Sequence, residues 1–177
     1  MTLRIIKTLL VFGVAVFYSL VVFNNITDYG SNYEFVHHVM MMDTTFPGNH
    51  GMWRAIQSPV LHTAFYLSII TWETITMLLC WWGGSRMAGA LRGSATAFHQ
   101  AKRIAISALT LSLLMWLIAF LSVGAEWFLM WQSKSWNGQD AAFRMFTVVG
   151  ITLLLVTQPD TEDQPLPFRA PIKRPSS

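Results

Sequence analysis

The sequence predicts an all-α polytopic membrane protein, a bundle of four transmembrane helices. Four apolar stretches have lengths near the roughly 20 residues that cross a hydrocarbon core. Only 12% of the residues are charged and 53% are hydrophobic, against roughly 25% charged residues in soluble domains. The basic residues flank the apolar stretches and form no patch with interleaved aromatic residues, so no nucleic-acid partner is predicted.

The predicted transmembrane helices span residues 5–23, 60–82, 104–129 and 141–157. The first follows Arg4 and Lys7 as in a signal peptide, but no small-residue cleavage pattern follows it, so we interpret it as an uncleaved anchor. The four helices form one domain over residues 1–157, with an outer loop at 24–59 and an inner loop at 83–103. Residues 158–177 carry five of the seven prolines and predict a flexible tail.

The distribution of basic residues predicts the orientation. Nine of the twelve lie in the N-terminus, the inner loop and the tail: Arg4, Lys7, Arg86, Arg92, Lys102, Arg103, Arg169, Lys173 and Arg174. Because short loops rich in lysine and arginine stay in the cytoplasm, both termini are predicted to be cytoplasmic. Tryptophans near the helix ends fit the aromatic belts at the membrane surface.

Both long connections contain helical signals. In the outer loop, Ser31 and Glu34 have capping-box spacing and predict a short helix that stops near Asp43. Pro59 fits the first turn of the second transmembrane helix. In the inner loop, Met87, Leu91 and Phe98 share one helical face, which predicts an interfacial helix at the headgroups.

Glu73 lies inside the second apolar stretch, roughly 14 Å along a helix from Trp82. A carboxylate at this depth is costly and marks an ion path, a proton relay or a paired contact. With no basic residue at its depth, its predicted partners are the hydroxyls of Thr110 and Thr152. A neutral acid in an interhelical hydrogen bond, a contact to a partner subunit and proton or ion handling all remain open.

Histidines and methionines are dense in the outer loop. Imidazole and thioether ligands together favour copper, Cu(I) in particular, and the candidate ligands are His37, His38, Met42, His50 and His62. Packing of these side chains and pH sensing by histidine are the alternatives. Haem needs two histidines facing each other at one depth, and only His62 is predicted within a helix, so haem would need a ligand from another subunit. We expect no cofactor in the chain alone.

The remaining sequence features give weaker signals about function. Glu126 and Arg144, at the outer ends of the third and fourth helices, either form an ion pair or remain separate charges. The Asn25-Ile26-Thr27 sequon is assigned no role. Cys80 is the only cysteine, which excludes an intrachain disulfide. The sequence contains no Walker loop, no Gly-x-Ser-x-Gly elbow and no Cys-x-x-Cys motif, so no enzymatic activity is predicted.

The outer-loop segments Met42-Asp43-Thr44-Thr45 and Trp53-Arg54-Ala55-Ile56, with the run from Phe35 to Asn49, are distinctive. Through them the chain resembles a bacterial family of predicted small integral membrane proteins, a domain of unknown function. The resemblance extends from the first helix to the fourth. It implies a four-helix topology and a bacterial inner membrane, and it implies no reaction or catalytic residue.

The resulting hypothesis is a non-catalytic accessory, assembly or stabilising subunit of a larger membrane complex, in contact with the lipid bilayer and with other membrane subunits. Its candidate partner-binding residues are Met40, Met42, Trp53 and Arg54 outside the membrane, with Glu73 within it. The first alternative is a small proton-coupled transporter that uses Glu73. The second is a copper or redox-associated protein that uses the histidines and methionines of the outer face.

Overall fold

The computed structural model describes residues 1–160, which contain five α-helices and two short 3₁₀ helices, Met52–Arg54 and Met130–Gln132. The α-helices are α1 (Thr2–Thr27), α2 (Tyr29–Met41), α3 (Pro59–Gly89), α4 (Ala95–Leu114, continued as a π-helix over Met115–Trp127) and α5 (Gln139–Thr157). All except α2 are long and apolar enough to cross a membrane. The all-α fold with four candidate spans is therefore confirmed for the described residues, whereas the predicted tail lies outside them from residue 161 onward.

The four long helices pack as a bundle in which α3 contacts both α1 and α4, and α5 contacts α4, its π-helical continuation and α1. One end of the bundle, here called the terminal side, carries the start of α1, the turn at 90–94 and the residues after α5. The other end, the loop side, carries α2 and the connections at 42–58 and 128–138.

Helices α3 and α4 approach each other closely at Gly83. A Cβ atom at this position would lie 2.5 Å from the backbone nitrogen of Ala105 and 2.7 Å from its Cα. Ala105 and Ala108 are themselves fully buried in the main core cluster. Small side chains on both helices thus allow a backbone contact that packs α3 against α4 along the lipid-embedded part of the chain.

The predicted interfacial helix in the inner loop is wrong. Helix α3 continues to Gly89 and α4 begins at Ala95, so that only a short turn separates two transmembrane-length helices. Met87 and Phe98 are fully buried in the bundle core rather than lying on headgroups. The amphipathic pattern reflected packing inside the protein, because a helix face buried against other helices has the same period as one buried in lipid.

The loop side is closed by α2 and the two connections. The Ile56 amide donates to the Met40 carbonyl at 2.9 Å, and the Thr44 and Ser133 hydroxyls are 2.8 Å apart. The predicted short helix exists, but it begins at Tyr29 and has no side-chain cap. The Ser31 hydroxyl donates to the Asp28 carboxylate instead, so the capping box is not formed.

A charged clasp fastens the terminal side. The carboxylate of Asp160, just after α5, accepts hydrogen bonds from Lys7 on α1 at 2.8 Å and from Lys102 on α4 at 2.6 Å. Both ammonium groups also donate to the Gln158 carbonyl. The Lys102 side chain is fully buried and that of Asp160 is 2% exposed. The clasp therefore joins three helices through ions removed from water.

Arg4, a basic residue that flanks the first span, also makes structural contacts on the terminal side. The Arg4 guanidinium donates to the Gly93 carbonyl at 2.6 Å and to the Leu91 carbonyl at 3.3 Å, which ties the start of α1 to the α3–α4 turn. It also lies over the Phe98 ring, 5.5 Å from the ring centre. Arg4 is only 7% exposed, so basic residues that flank the spans are part of the fold.

We expect Gly83→Ala to lower the free energy of unfolding by about 1–3 kcal/mol, because the new methyl group must separate α3 from the α4 backbone. The matched control is Gly89→Ala, whose added Cβ meets no atom within 4 Å. Thermal unfolding in detergent, followed by helical circular dichroism, measures both. Equal melting temperatures for the two variants would contradict the close contact.

Asp160→Asn is expected to lower stability by about 3 kcal/mol, because two buried ammonium groups lose their counter-charge. Burial alone would raise the pKa of Asp160, but hydrogen bonds and charge from Lys102 and Lys7 outweigh it and lower the pKa below its usual 3.8. The stabilisation is therefore complete above that value and is lost as the pH falls through the lowered pKa. Acid unfolding measures this loss, and exposed Asp140→Asn at the other end of α5 is the control.

Candidate functional site

Glu73 lies at mid-length of α3, beside the loop-side end of α1. Its side chain, on α3, contacts Asn25, which is two residues before α1 ends at Thr27. Helix α3 has 31 residues, about 46 Å at a rise of 1.5 Å per residue, and it extends beyond α1 to pack against α2. The carboxylate therefore lies at the level where α1 ends and α2 packs against α3.

A short hydrogen-bonded chain holds this carboxylate. The Asn25 side-chain amide donates to Glu73 Oε2 at 2.5 Å, and the Tyr66 hydroxyl donates to Asn25 Oδ1 at 3.1 Å. All three side chains are buried, with exposed fractions of 3% for Glu73, 7% for Asn25 and 2% for Tyr66. The amide is held between an acceptor and a donor, so its orientation is fixed.

The predicted hydroxyl partners of Glu73 are wrong. Thr110 is exposed on the outside of α4, and the buried Thr152 hydroxyl donates to the Val148 carbonyl of its own helix at 2.9 Å. Depths counted separately along each helix placed these threonines beside Glu73. The depth of Thr110 is right, since the Trp72 indole donates to the neighbouring Leu111 carbonyl at 3.1 Å. The prediction fails because the faces of the helices decide which side chains meet, and Thr110 faces outward.

Asn25 is the partner that sequence reasoning missed. It was noted only as part of a glycosylation sequon, but its side chain is buried. Val11, Tyr18 and Val22 are buried on the same helix, and their spacing continues to Asn25 with the period of one helical face. An amide that continues an apolar stripe in a span was the available signal for an internal partner.

A cavity of about 150 Å³ adjoins Glu73. It lies between α1, α2, α3 and the π-helix, and it is partly open. Three of its walls are aromatic, and its lining contains no basic side chain. The lining residues are Val21, Asn25, Asn32, Phe35, Val36, Tyr66, Ile69, Glu73 and Phe120.

Toward the terminal side the polar groups give way to an apolar core. Tyr18 donates to or accepts from Ser112 at 2.6 Å and accepts from the Trp116 indole at 3.0 Å. Beyond this cluster the fully buried residues of the described chain are mainly apolar, among them Val11, Cys80 and Leu109. The polar chain at Glu73 therefore has a counterpart in Tyr18 but no continuous polar route to the clasp.

The structure brings two of the five predicted metal ligands together. Nδ1 of His37 lies 3.0 Å from Nδ1 of His62. Since Nε2 of His62 donates to the Ile56 carbonyl at 2.8 Å, neutral His62 accepts at Nδ1 and His37 donates. This pair links α2 to the start of α3.

The other three predicted ligands lie elsewhere. His38 bonds to the Asp43 carboxylate at 2.7 Å and stacks on Trp136, His50 is exposed, and Met42 is 1% exposed inside the loop-side core. Within residues 1–160, no three His, Cys, Asp or Glu side chains converge as metal ligands. The predicted five-residue set is therefore not assembled, and copper binding stays a prediction.

Two of the four predicted outer partner contacts are wrong. Met40 and Met42 are 2% and 1% exposed, because they fill the core beneath α2. Trp53, in contrast, is 76% exposed. Methionine is a flexible packing residue, and a covered loop uses it in the same way as an interface does.

Of the two alternatives for Glu126 and Arg144, the described structure has separate charges, since the two side chains form no ion pair within 4 Å. Both side chains are exposed on their own helices. Arg54 instead donates to the Glu126 backbone carbonyl at 3.3 Å. Its guanidinium lies 5.8 Å from the Trp53 ring centre and 5.6 Å from that of Trp127.

We expect Asn25→Ala to destabilise the protein by about 1–3 kcal/mol, since it leaves Glu73 Oε2 without its donor, while Tyr66 keeps only its 3.3 Å hydrogen bond to the carbonyl of residue 25. The control is Asn24→Ala at the exposed neighbouring position. Unfolding in detergent compares the two variants. If both melt at the wild-type temperature, the hydrogen-bonded chain does not hold the loop side together.

The comparisons with known proteins place the chain in a family. Residues 3–159 match the family model described as "predicted small integral membrane protein (DUF2165)". Searches of the curated proteins and of the solved structures find no match. Because the family match covers nearly all of the described residues and agrees with four membrane-length helices, the chain belongs to this family of integral membrane proteins of unknown function.

Proposed function

We propose that this integral membrane protein is a non-catalytic accessory subunit of a larger membrane complex. The observation that carries this proposal is an exposed patch on the loop side, formed by Trp53, Arg54 and Trp127 and here called the tryptophan–arginine patch. Trp53 is 76% exposed and Trp127 is 48% exposed, and their ring centres lie 5.8 Å apart. Tryptophan and arginine are the residue types that most often dominate binding energy at protein interfaces.

The patch is held in place before any partner binds. The Arg54 side chain donates to the carbonyls of Gly51 and Glu126, and it lies against both tryptophan rings. A side chain at position 51 would collide with the Arg54 guanidinium, so Gly51 makes room for it. A patch fixed in this way loses little conformational freedom on binding, which favours its use as a contact surface.

The proposal includes a bacterial inner membrane with the terminal side in the cytoplasm. Six of the basic residues in the described chain belong to the terminal half of the bundle: Arg4, Lys7, Arg86, Arg92, Lys102 and Arg103. Short segments rich in lysine and arginine remain on the cytoplasmic side. The tryptophan–arginine patch then faces outward, where a periplasmic or membrane-embedded partner reaches it.

A proton-coupled carrier that uses Glu73 is the second candidate, supported by the cavity beside that carboxylate. A carrier needs a route to both surfaces, and it moves its substrate by rocking one half of the bundle against the other. The core between Tyr18 and the terminal side is mainly apolar, which favours the accessory subunit over the carrier. The accessory subunit needs only a surface that binds, so it is the function we favour.

We expect the double substitution Trp53→Ala and Arg54→Ala to release a partner that co-purifies with the wild-type chain from native membranes in mild detergent. Loss of one interface hot spot weakens binding by about 2 kcal/mol or more, about 30-fold. Quantitative mass spectrometry of the purified material measures the partner. The matched control is Trp82→Ala, a 55% exposed tryptophan on α3 away from the patch.

Two results would contradict the proposal. One is a wild-type preparation in which no protein accompanies the chain in a fixed ratio. The other is a partner that remains equally bound to the double variant and to the Trp82→Ala control.

A further inference from the structure

We propose that the cavity beside Glu73 binds a small organic ammonium ion. The proposal goes beyond the subunit role and is independent of it, since it uses neither Trp53 nor Arg54. It assigns a ligand class to the carboxylate, the aromatic walls and the open volume that these four helices place together.

Glu73 is the charged residue of the cavity lining. Glu73 is 97% removed from solvent, and only one of its oxygens, Oε2, has a hydrogen-bond partner. Among the described residues, Asn49 Nδ2 is the only fully enclosed side-chain nitrogen or oxygen that lacks a partner. Glu73 Oε1 therefore is not sealed within the protein, and Glu73 lines the partly open cavity. A buried acceptor without a donor is costly, and a bound N–H group or cation removes that cost.

The net charge of the cavity lining favours a cationic ligand. The cavity lining contains one acidic side chain and no lysine, arginine or histidine. Asn25 donates a hydrogen bond to the carboxylate but supplies no net positive charge. An ionised Glu73 thus has no counter-ion within its own site, and a cationic ligand would supply one.

The chemistry of the cavity walls favours an organic cation over a metal ion. The walls of the cavity include the rings of Phe35, Tyr66 and Phe120, together with aliphatic side chains. Aromatic faces attract alkylammonium ions and are the usual enclosure for them. Hard metal ions require several oxygen ligands around them, typically six or more for calcium, and apolar walls do not provide these. The lining therefore favours an ammonium ion that carries methyl or short alkyl groups.

The volume of the cavity limits the size of the ligand. The space of about 150 Å³ is several times the roughly 30 Å³ that one water molecule takes in the liquid. It is well below the roughly 300–1,000 Å³ of a drug-sized pocket. The ligand is accordingly a small ion, of the size of methylammonium to tetramethylammonium, with its charge near Glu73 Oε1.

The experiment is calorimetric titration of the full-length protein in detergent with tetramethylammonium chloride, at constant ionic strength. We expect saturable binding that Glu73→Gln weakens at least about tenfold, which corresponds to about 1.4 kcal/mol. Uncharged tert-butanol, of similar shape, is expected to show no saturable binding. The control variant is Glu126→Gln, an exposed glutamate outside the cavity, and it should bind like the wild type.

A second variant keeps the carboxylate in case Glu73→Gln unfolds. Phe120→Leu removes one aromatic wall, and the loss of one cation–π contact should weaken binding about two- to fivefold. The proposal is overturned by absence of saturable tetramethylammonium binding to the wild type, by equal affinity for tert-butanol, or by tighter binding of Na⁺. Unchanged affinity in folded Glu73→Gln or in Phe120→Leu overturns it as well. Since no partner protein is present, none of these outcomes bears on the subunit proposal.

Discussion

A polar group inside a lipid-embedded bundle finds no water, and it must be satisfied by the protein itself. This constraint organises both ends of the molecule. On the loop side, Asn25 bridges Glu73 and Tyr66, so a single amide joins the end of α1 to α3. On the terminal side, the Asp160 carboxylate joins Lys7 and Lys102. Between these two polar ends, close packing of small and apolar side chains holds the helices together.

The two ends differ in how completely their charges are met. In the clasp, each ion has an opposite charge within hydrogen-bond distance, which suits a fixed structural joint. At Glu73, one oxygen accepts a hydrogen bond from Asn25 and the other has no partner among the described residues, and Glu73 lines a partly open cavity together with aromatic residues. The clasp thus has the contacts of a structural joint, whereas Glu73 retains an unpaired acceptor.

The candidate site follows from sequence only in part. Glu73 stands out because a carboxylate in an apolar stretch is rare, and that signal is local. Its partner Asn25 is 48 positions away, and no local pattern pairs them. Met40 and Trp53 both belong to the predicted outer loop, yet Met40 lies on the buried face of α2 and Trp53 is exposed. Burial in a loop depends on what folds over it, which hydrophobicity alone does not encode.

By itself, the sequence determined the number of spans, the all-α class and the short helix between the first two spans, because apolar length and helical period are properties of contiguous residues. The tertiary structure decided the extent of α3 and α4, the π-helical winding of Met115–Trp127 and the meeting of Asn25 with Glu73. It also brought Lys7 and Lys102, which the sequence marks only as basic residues that flank the spans, into contact with Asp160. These features depend on contacts between distant segments, whose energies appear only when the helices pack.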